Sequence, residues 1–180
     1  MSRLTIPTVE TAPLASKPLL QAVQQQLGSV PNVFRLMAIS PAALEGFLGL
    51  FGALGKALDA RTRERIAIAV AQVNGCDYCM SAHSYLGANL AELDDSELAR
   101  NRVGRSNDPK ADVAVRFAVK VAETRGKVSE ADIAELKLAG FSETDIVDIM
   151  STVALNVLTN FLNNAVQTDI DFPVVRTKAA

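Results

Sequence analysis

The sequence predicts an all-α domain, and three observations carry that expectation. Strand-like alternation of apolar and polar residues is almost absent along the 180 residues. Apolar residues recur instead at helical spacing. Helix punctuation (Ser, Asp or Pro at starts, Gly at stops) divides the chain into short segments with short connections.

The elements follow in order. Ser16 with Pro18 opens a first helix that Gly28 closes, and Pro31 starts a short one ending near Ser40. Ser40 then caps PAALEGFLGLFGALGKAL, with Pro41 at the first helical position, where its missing N–H costs nothing. Asp59 caps a helix over about 60–73, stopped by Asn74-Gly75. The segment from Cys76 opens the next, to about 89, and a short acidic helix follows near 94–101. Asp108-Pro109 begins a long helix ending at Gly126. Ser129 and Asp132 have capping-box spacing before a helix that ends at Gly140. Ser142 caps the last and longest helix, to about 167, and the tail over about 170–180 is extended. No linker, repeat or low-complexity tract interrupts a single domain spanning 1–180.

Composition narrows the function classes. The chain is 49% hydrophobic and 21% charged with a formal net charge of −2, a globular composition with no basic field for nucleic acid. The N-terminus lacks the apolar core of a signal peptide. The apolar run 46–55 lies between Glu45 and Lys56 and is too short to cross a bilayer. The expectation is a cytoplasmic protein without a membrane partner. In a reducing compartment a Cys-x-x-Cys pair points to redox catalysis or metal binding, not to a staple.

That pair lies in NGCDYCMSAH, which holds both cysteines, Cys76 and Cys79, and the only histidine, His83. Spacings of three and four place all three side chains on one helix face. The Gly75 break sets Cys76 at the helix start, where unpaired N–H groups and the dipole favour a thiolate. Two thiols at this spacing can close a disulfide, and an imidazole can move the proton as thiol and thiolate interconvert. Glu64 lies ten residues before the turn and His83 eight after it. An antiparallel hairpin would therefore hold them at similar heights. Glu64 is equally readable as a solvated acid paired with Arg61 or Arg65. Zinc is a rival reading, with Cys76, Cys79 and His83 as three ligands, although no second Cys-x-x-Cys or other histidine completes a structural set.

The segment LDARTRERIAIAVAQVNGCDYCMSAH, with Glu64 twelve positions before the Cys-x-x-Cys-x-x-x-His run, resembles the AhpD-like alkylhydroperoxidases of the carboxymuconolactone decarboxylase superfamily. The core of the resemblance covers about 41–90. The flanks SVPNVFRLMAISP and TNFLNNAVQTDIDFP resemble its longer peroxidase-related subgroup. The resemblance implies an AhpD-like helical fold with a CxxC-bearing hairpin, and a dithiol peroxidase that needs neither metal nor other cofactor. It implies Cys79 as the peroxide-attacking thiolate, Cys76 as the resolving cysteine, and Glu64 and His83 as the proton relay. It further implies a hydroperoxide substrate, a dithiol reductant protein, and a homo-oligomer (dimer, trimer or hexamer). The dipole argument favours Cys76 as the acidic thiol and the spacing to His83 favours Cys79. The histidine decides for Cys79, leaving Cys76, nearer the helix start and expected to be the more exposed, for exchange with a reductant. Tyr78 stands where the typical peroxidase of this family has a second histidine, which weakens the expected relay. Decarboxylase or lactone chemistry, after the superfamily's name, and a non-enzymatic oligomeric helical protein are the alternatives.

Two stripes complete the reading. Gly46, Gly49, Gly52 and Gly55 recur every third residue in one helix, at roughly 1 kcal/mol each against Ala, which suggests close approach of another helix, here or in a neighbouring subunit. Asn156, Asn160, Asn163 and Asn164 form a polar stripe on an otherwise apolar last helix, placed at the pocket or, preferentially, at a subunit interface.

Overall fold

The computed structural model describes residues 2–178, and among these the regular elements are all helical. A 3₁₀ turn at Leu14–Ser16 leads into α1 (Lys17–Leu27), followed by α2 (Asn32–Met37), α3 (Pro41–Leu54), α4 (Ala60–Val73) and α5 (Asp77–Asn89). Then come α6 (Asp95–Asn101), α7 (Pro109–Thr124), α8 (Glu130–Leu138) and α9 (Glu143–Val166). The end of the expected tail, beyond Lys178, lies outside the described residues.

Most caps are those the sequence names, but Ser16 makes no capping bond and its hydroxyl donates to the Ala38 carbonyl. Ser40, Asp59 and Asp108 each accept backbone N–H groups of the first turn, and Ser129 and Ser142 form complete capping boxes with Asp132 and Asp145. One boundary differs. α3 stops at Leu54 with Gly55 as its C-cap, and not near 58. The chain beyond it turns so that Leu58 is buried against α4 and α7. Gly75 has φ of 61°, a left-handed conformation that side chains disfavour, and it reverses the chain between α4 and α5 within three residues.

α4 is the hub. Arg65 through Ala71 are buried without a break, so this helix is enclosed on every side. It packs on α5, α6, α7 and α9. Its one charged member in that run, Arg65, donates to Glu97 at 2.7 Å. Asn101, Ser106 and the backbone of Asn107 satisfy the rest of that carboxylate. α9 forms the third wall against α3, α4, α5 and α7. By length and composition α9 is also able to cross a membrane, unlike 46–55, but ten of its residues are buried, three of them asparagines.

The glycine stripe does not do what its spacing suggests inside this subunit. A Cβ at Gly46, Gly49 or Gly52 would meet nothing within 4 Å. These residues line the outer face of α3, whose inner face buries Leu44, Phe47 and Leu54. No helix of the same chain approaches them.

Candidate functional site

Three elements build the site: the α4–α5 hairpin, α9 and the C-terminal tail. The three-residue turn holds α4 and α5 antiparallel, and Glu64 and His83 then meet across the hairpin. His83 Nδ1 lies 2.8 Å from Glu64 Oε2, with 21% and 17% of the two side chains exposed. The solvated reading of Glu64, with Arg61 or Arg65 as partner, is not realised. Arg61 reaches the carbonyl of Glu92, and Arg65 is committed to Glu97.

Cys76 is the N-cap of α5, and its Sγ accepts the backbone N–H of Cys79 at 3.3 Å. Cys79 lies in the first turn. Both thiols are free and both are buried, Cys76 at 0% exposure and Cys79 at 3%. The expectation of a more exposed Cys76 is therefore corrected. Ile170, Phe172 and Val175 of the tail pack against the cluster that contains both cysteines.

The tail is fastened to the same helix. Val175 and Ser81 exchange backbone and hydroxyl hydrogen bonds at 3.0 and 3.1 Å. Asp77, between the two cysteines, accepts from Arg176 and from the Thr177 backbone and hydroxyl, each at 2.8 Å. Sequence reasoning gave this tail no role, because an extended segment has no periodicity to show what it covers.

The electrostatics single out Cys79. Burial alone would push its thiol up. The hydrogen bond from Cys76, the positive charge at His83, and the amides of Asn163 and Asn160 outweigh burial and pull it down to about 6. Cys76 moves the other way. Its hydrogen bond to Cys79, then burial, then the neighbouring thiolate charge all raise it, so the pair shares one negative charge and keeps it on Cys79. The helix dipole alone would have chosen Cys76. Groups that meet Cys79 directly override it. Burial lowers His83, and the Glu64 carboxylate more than restores it, with help from the Cys79 charge.

Tyr78 turns away from proton chemistry. It is buried, its hydroxyl accepts the Val33 N–H at 3.1 Å, and Phe172 stands edge-on to its ring at 6.0 Å. Burial and the nearby Asp171 charge push its phenol upward. It holds α2 and the tail to the cysteine helix. Among the described residues, no three His, Cys, Asp or Glu side chains form a group able to hold a metal ion.

The asparagine stripe turns mostly inward, and Asn164 alone of the four is exposed. Asn156, Asn160 and Asn163 are buried inside the subunit. Asn163 Nδ2 donates to Cys79 Sγ at 3.4 Å. Asn160 Oδ1 accepts from Asn74 Nδ2 at 2.8 Å, and Asn164 Nδ2 donates to the Asn74 carbonyl at 2.8 Å. The four-residue spacing from Asn156 to Asn160, on a helix otherwise apolar, was the available signal. It could not say what the buried face meets.

Glu64, Cys76, Cys79 and His83 thus converge on the α4–α5 hairpin of an all-helical AhpD-like fold. The profile of the Carboxymuconolactone decarboxylase family matches residues 41–120. A peroxidase-related protein from Ralstonia eutropha JMP134, described as an alkylhydroperoxidase AhpD core, superimposes with a TM-score of 0.84 at 27% identity, over 94% of this chain and 92% of that one. A peroxidase-related protein from Silicibacter sp. TM1040 gives 0.80 at 27% identity, over 93% and 91%. A Haemophilus influenzae protein is 48% identical over 46 residues, 24% of this chain, and the match spans only 41% of that curated relative's length. The family profile over 41–120 and these two neighbours together support an AhpD-like member of the carboxymuconolactone decarboxylase superfamily.

Proposed function

We propose that this protein is a dithiol peroxidase that reduces hydroperoxides through Cys79 and Cys76. The observation that carries the reading is the convergence on one buried sulfur. Cys79, brought down to about 6, lies one turn from an imidazole that is itself held by a carboxylate at 2.8 Å. A thiolate is the nucleophile, and a charged imidazole beside it can supply the proton the leaving group needs.

In the first step the Cys79 thiolate attacks the distal oxygen of the hydroperoxide. The S–O bond forms as the O–O bond breaks, and the departing alkoxide takes a proton from the His83 imidazolium to leave as alcohol. Glu64 stabilises the imidazolium before the transfer and orients the ring. In the second step the Cys76 sulfur attacks the Cys79 sulfenic acid, forming the disulfide and releasing water. A dithiol reductant then takes over the disulfide by exchange and is itself oxidised. We place the protein in the cytoplasm as a homo-oligomer. Supporting this are its Cys-x-x-Cys pair of free thiols and the exposed apolar positions of α9, Val147, Leu158 and Phe161.

The test is mass spectrometry of the reduced protein before and after one equivalent of an organic hydroperoxide. Loss of two hydrogens, mapped to a peptide linking Cys76 and Cys79, is the expected result. An unchanged mass with both thiols still alkylatable rejects the peroxidase reading.

A further inference from the structure

Three atoms around Cys79 remain to be explained, and all come from α9. Asn163 Nδ2 donates to the sulfur at 3.4 Å. Asn163 Oδ1 and Asn160 Nδ2 are both buried and meet no hydrogen-bonding group of the described chain. Asn160 is 0% exposed. A buried amide hydrogen without a partner costs on the order of 1–3 kcal/mol, so an orphan in a well-packed core calls for an account. Its orientation is not free. Asn74 donates to Asn160 Oδ1 at 2.8 Å, and Asn74 is itself tied through its carbonyl to Asn164. This chain from the Asn74-Gly75 turn to α9 fixes which end of Asn160 faces the cysteine helix. Asn160 Nδ2 is near enough to Cys79 to favour its thiolate, yet it closes no hydrogen bond with the sulfur.

We propose that the α9 amides form a divided cradle for the reacting atoms: Asn163 holds the Cys79 thiolate, and Asn160 Nδ2 donates to the oxygen that the sulfur receives from the hydroperoxide. This deepens the peroxidase reading and rests on it for the Asn160 role. As the thiolate attacks, negative charge moves from sulfur onto the two peroxide oxygens. His83 protonates the departing oxygen. The transferred oxygen stays on Cys79 as sulfenic acid, and a fixed, water-excluded donor beside the sulfur stabilises it as the S–O bond forms. Asn163 acts on the sulfur before the reaction. Asn160 Nδ2, without a hydrogen-bond partner in the resting site, gains one only as oxygen arrives, which is the condition for lowering a barrier and not merely tightening binding. The titratable groups around Cys79 are Cys76, Tyr78 and His83 on its own helix, with Glu64 behind His83 from α4 and Asp171 behind Tyr78 from the tail. α9 supplies neutral amides, so its contribution is separable from theirs.

The experiment uses a Cys76→Ser background so that Cys79 reacts alone. Two rates are measured against pH for Cys79: alkylation by iodoacetamide, which transfers no oxygen, and sulfenic acid formation with cumene hydroperoxide. Asn163→Leu is expected to move the midpoint of the alkylation profile upward by about one to two pH units, the weight of a hydrogen bond to a charged group. Asn160→Leu is expected to leave alkylation at its high-pH plateau intact while slowing sulfenic acid formation by about 10²-fold, the effect of losing one oxyanion donor. Parallel losses in both rates for Asn160→Leu, or no loss in either, overturn the Asn160 role. An unmoved alkylation profile for Asn163→Leu overturns the Asn163 role. A wild-type chain that alkylates readily but ignores hydroperoxide refutes the peroxidase function and the Asn160 role with it, while the Asn163 arm still reads. Should either leucine variant fail to fold, Asn74→Ala frees Asn160 from the half-buried turn and is expected to lower the peroxide rate selectively. Side-chain amide NMR of the Cys76→Ser protein, without change on α9, must show Asn163 Nδ2 shifting as Cys79 titrates, and a flat response refutes the contact.

Discussion

Glu64→Gln removes one charge from the site and almost no volume. The carboxylate it replaces lies 2.8 Å from His83 Nδ1, with 17% of the Glu64 side chain and 21% of the His83 side chain exposed. A charge-assisted hydrogen bond is worth roughly 1.5–3 kcal/mol, and the remaining solvent access sets this one near the lower figure. About 1.5 kcal/mol corresponds to a drop of roughly 3–6 °C in the unfolding midpoint of a domain this size. The pH dependence has a definite sign. The folded protein holds the His83 pKa above its ordinary value. The pair therefore contributes fully below the unfolded-state value of about 6.5, and the contribution disappears as pH rises through the folded value. The midpoint gap between wild type and variant is thus widest below the unfolded-state histidine value and closes as pH rises through the raised folded value. The rate changes more. Without the carboxylate, less imidazolium stands beside Cys79 to protonate the leaving alkoxide, and general-acid contributions run to about 10²–10⁴-fold. The assay is stopped-flow disulfide formation with a hydroperoxide at pH 7, with calorimetry across the pH range. Equal rates with a lowered midpoint would make Glu64 structural and end the relay at His83. A gap that widens in alkali would contradict the charged pair itself.

Cys79→Ser is expected to abolish turnover, whereas Cys76→Ser is expected still to form a sulfenic acid at Cys79 that a dimedone probe labels. Labelling of Cys76 in Cys79→Ser, with none of Cys79 in the reverse variant, would invert the assignment. Because the folded protein draws Cys79 down to about 6, its ionisation stabilises the fold fully above the unfolded thiol's pKa and ever less as pH falls toward 6. The wild type therefore gains stability over Cys79→Ser between about pH 6 and 8.5, and calorimetry reads the slope. Phe161 is 58% exposed on α9, and Val147, Ala154, Leu158, Phe161 and Ala165 share its outer face. Phe161→Glu is expected to weaken self-association, with light scattering moving toward the 19.2 kDa monomer, and a wild type already at that mass would reject the oligomer. Removal of residues 173–178 strips Asp77 and Ser81 of their tail partners. Alkylation of Cys76 should then accelerate, and an unchanged rate would mean that the tail does not shield the thiol.

Local chemistry was legible from the chain alone. Ser40, Asp59, Ser129 and Ser142 cap helices because a short side-chain oxygen satisfies N–H groups two or three residues on, a contact that needs no distant partner. The Asn74-Gly75 turn and the spacings among Glu64, Cys76, Cys79 and His83 likewise fix a hairpin and one shared face, since helical geometry converts separation into position. Meetings between distant segments were not legible. The dipole at Cys76 was correctly located, but the Cys76 hydrogen bond, the His83 charge and the Asn163 amide outweigh it at Cys79. The glycine stripe promised a close helix, yet nothing in the chain marks which side of α3 turns outward. Asn160 and Asn163 read as polar positions on an apolar helix. That they face a thiol 84 residues away in the case of Asn163, and not a neighbouring subunit, depends on how α9 rotates against the hairpin. The tail shows the limit most plainly. The tail is irregular, so only packing reveals that Phe172 and Val175 cover the cysteine helix and that Asp77 anchors Arg176 and Thr177. The sequence by itself determined the helices, most of their ends and the hairpin that carries the four residues, because those follow from interactions over a few residues. The tertiary structure decided which thiol carries the charge and what surrounds it, because burial and hydrogen bonding to that sulfur come from segments the chain brings together only on folding.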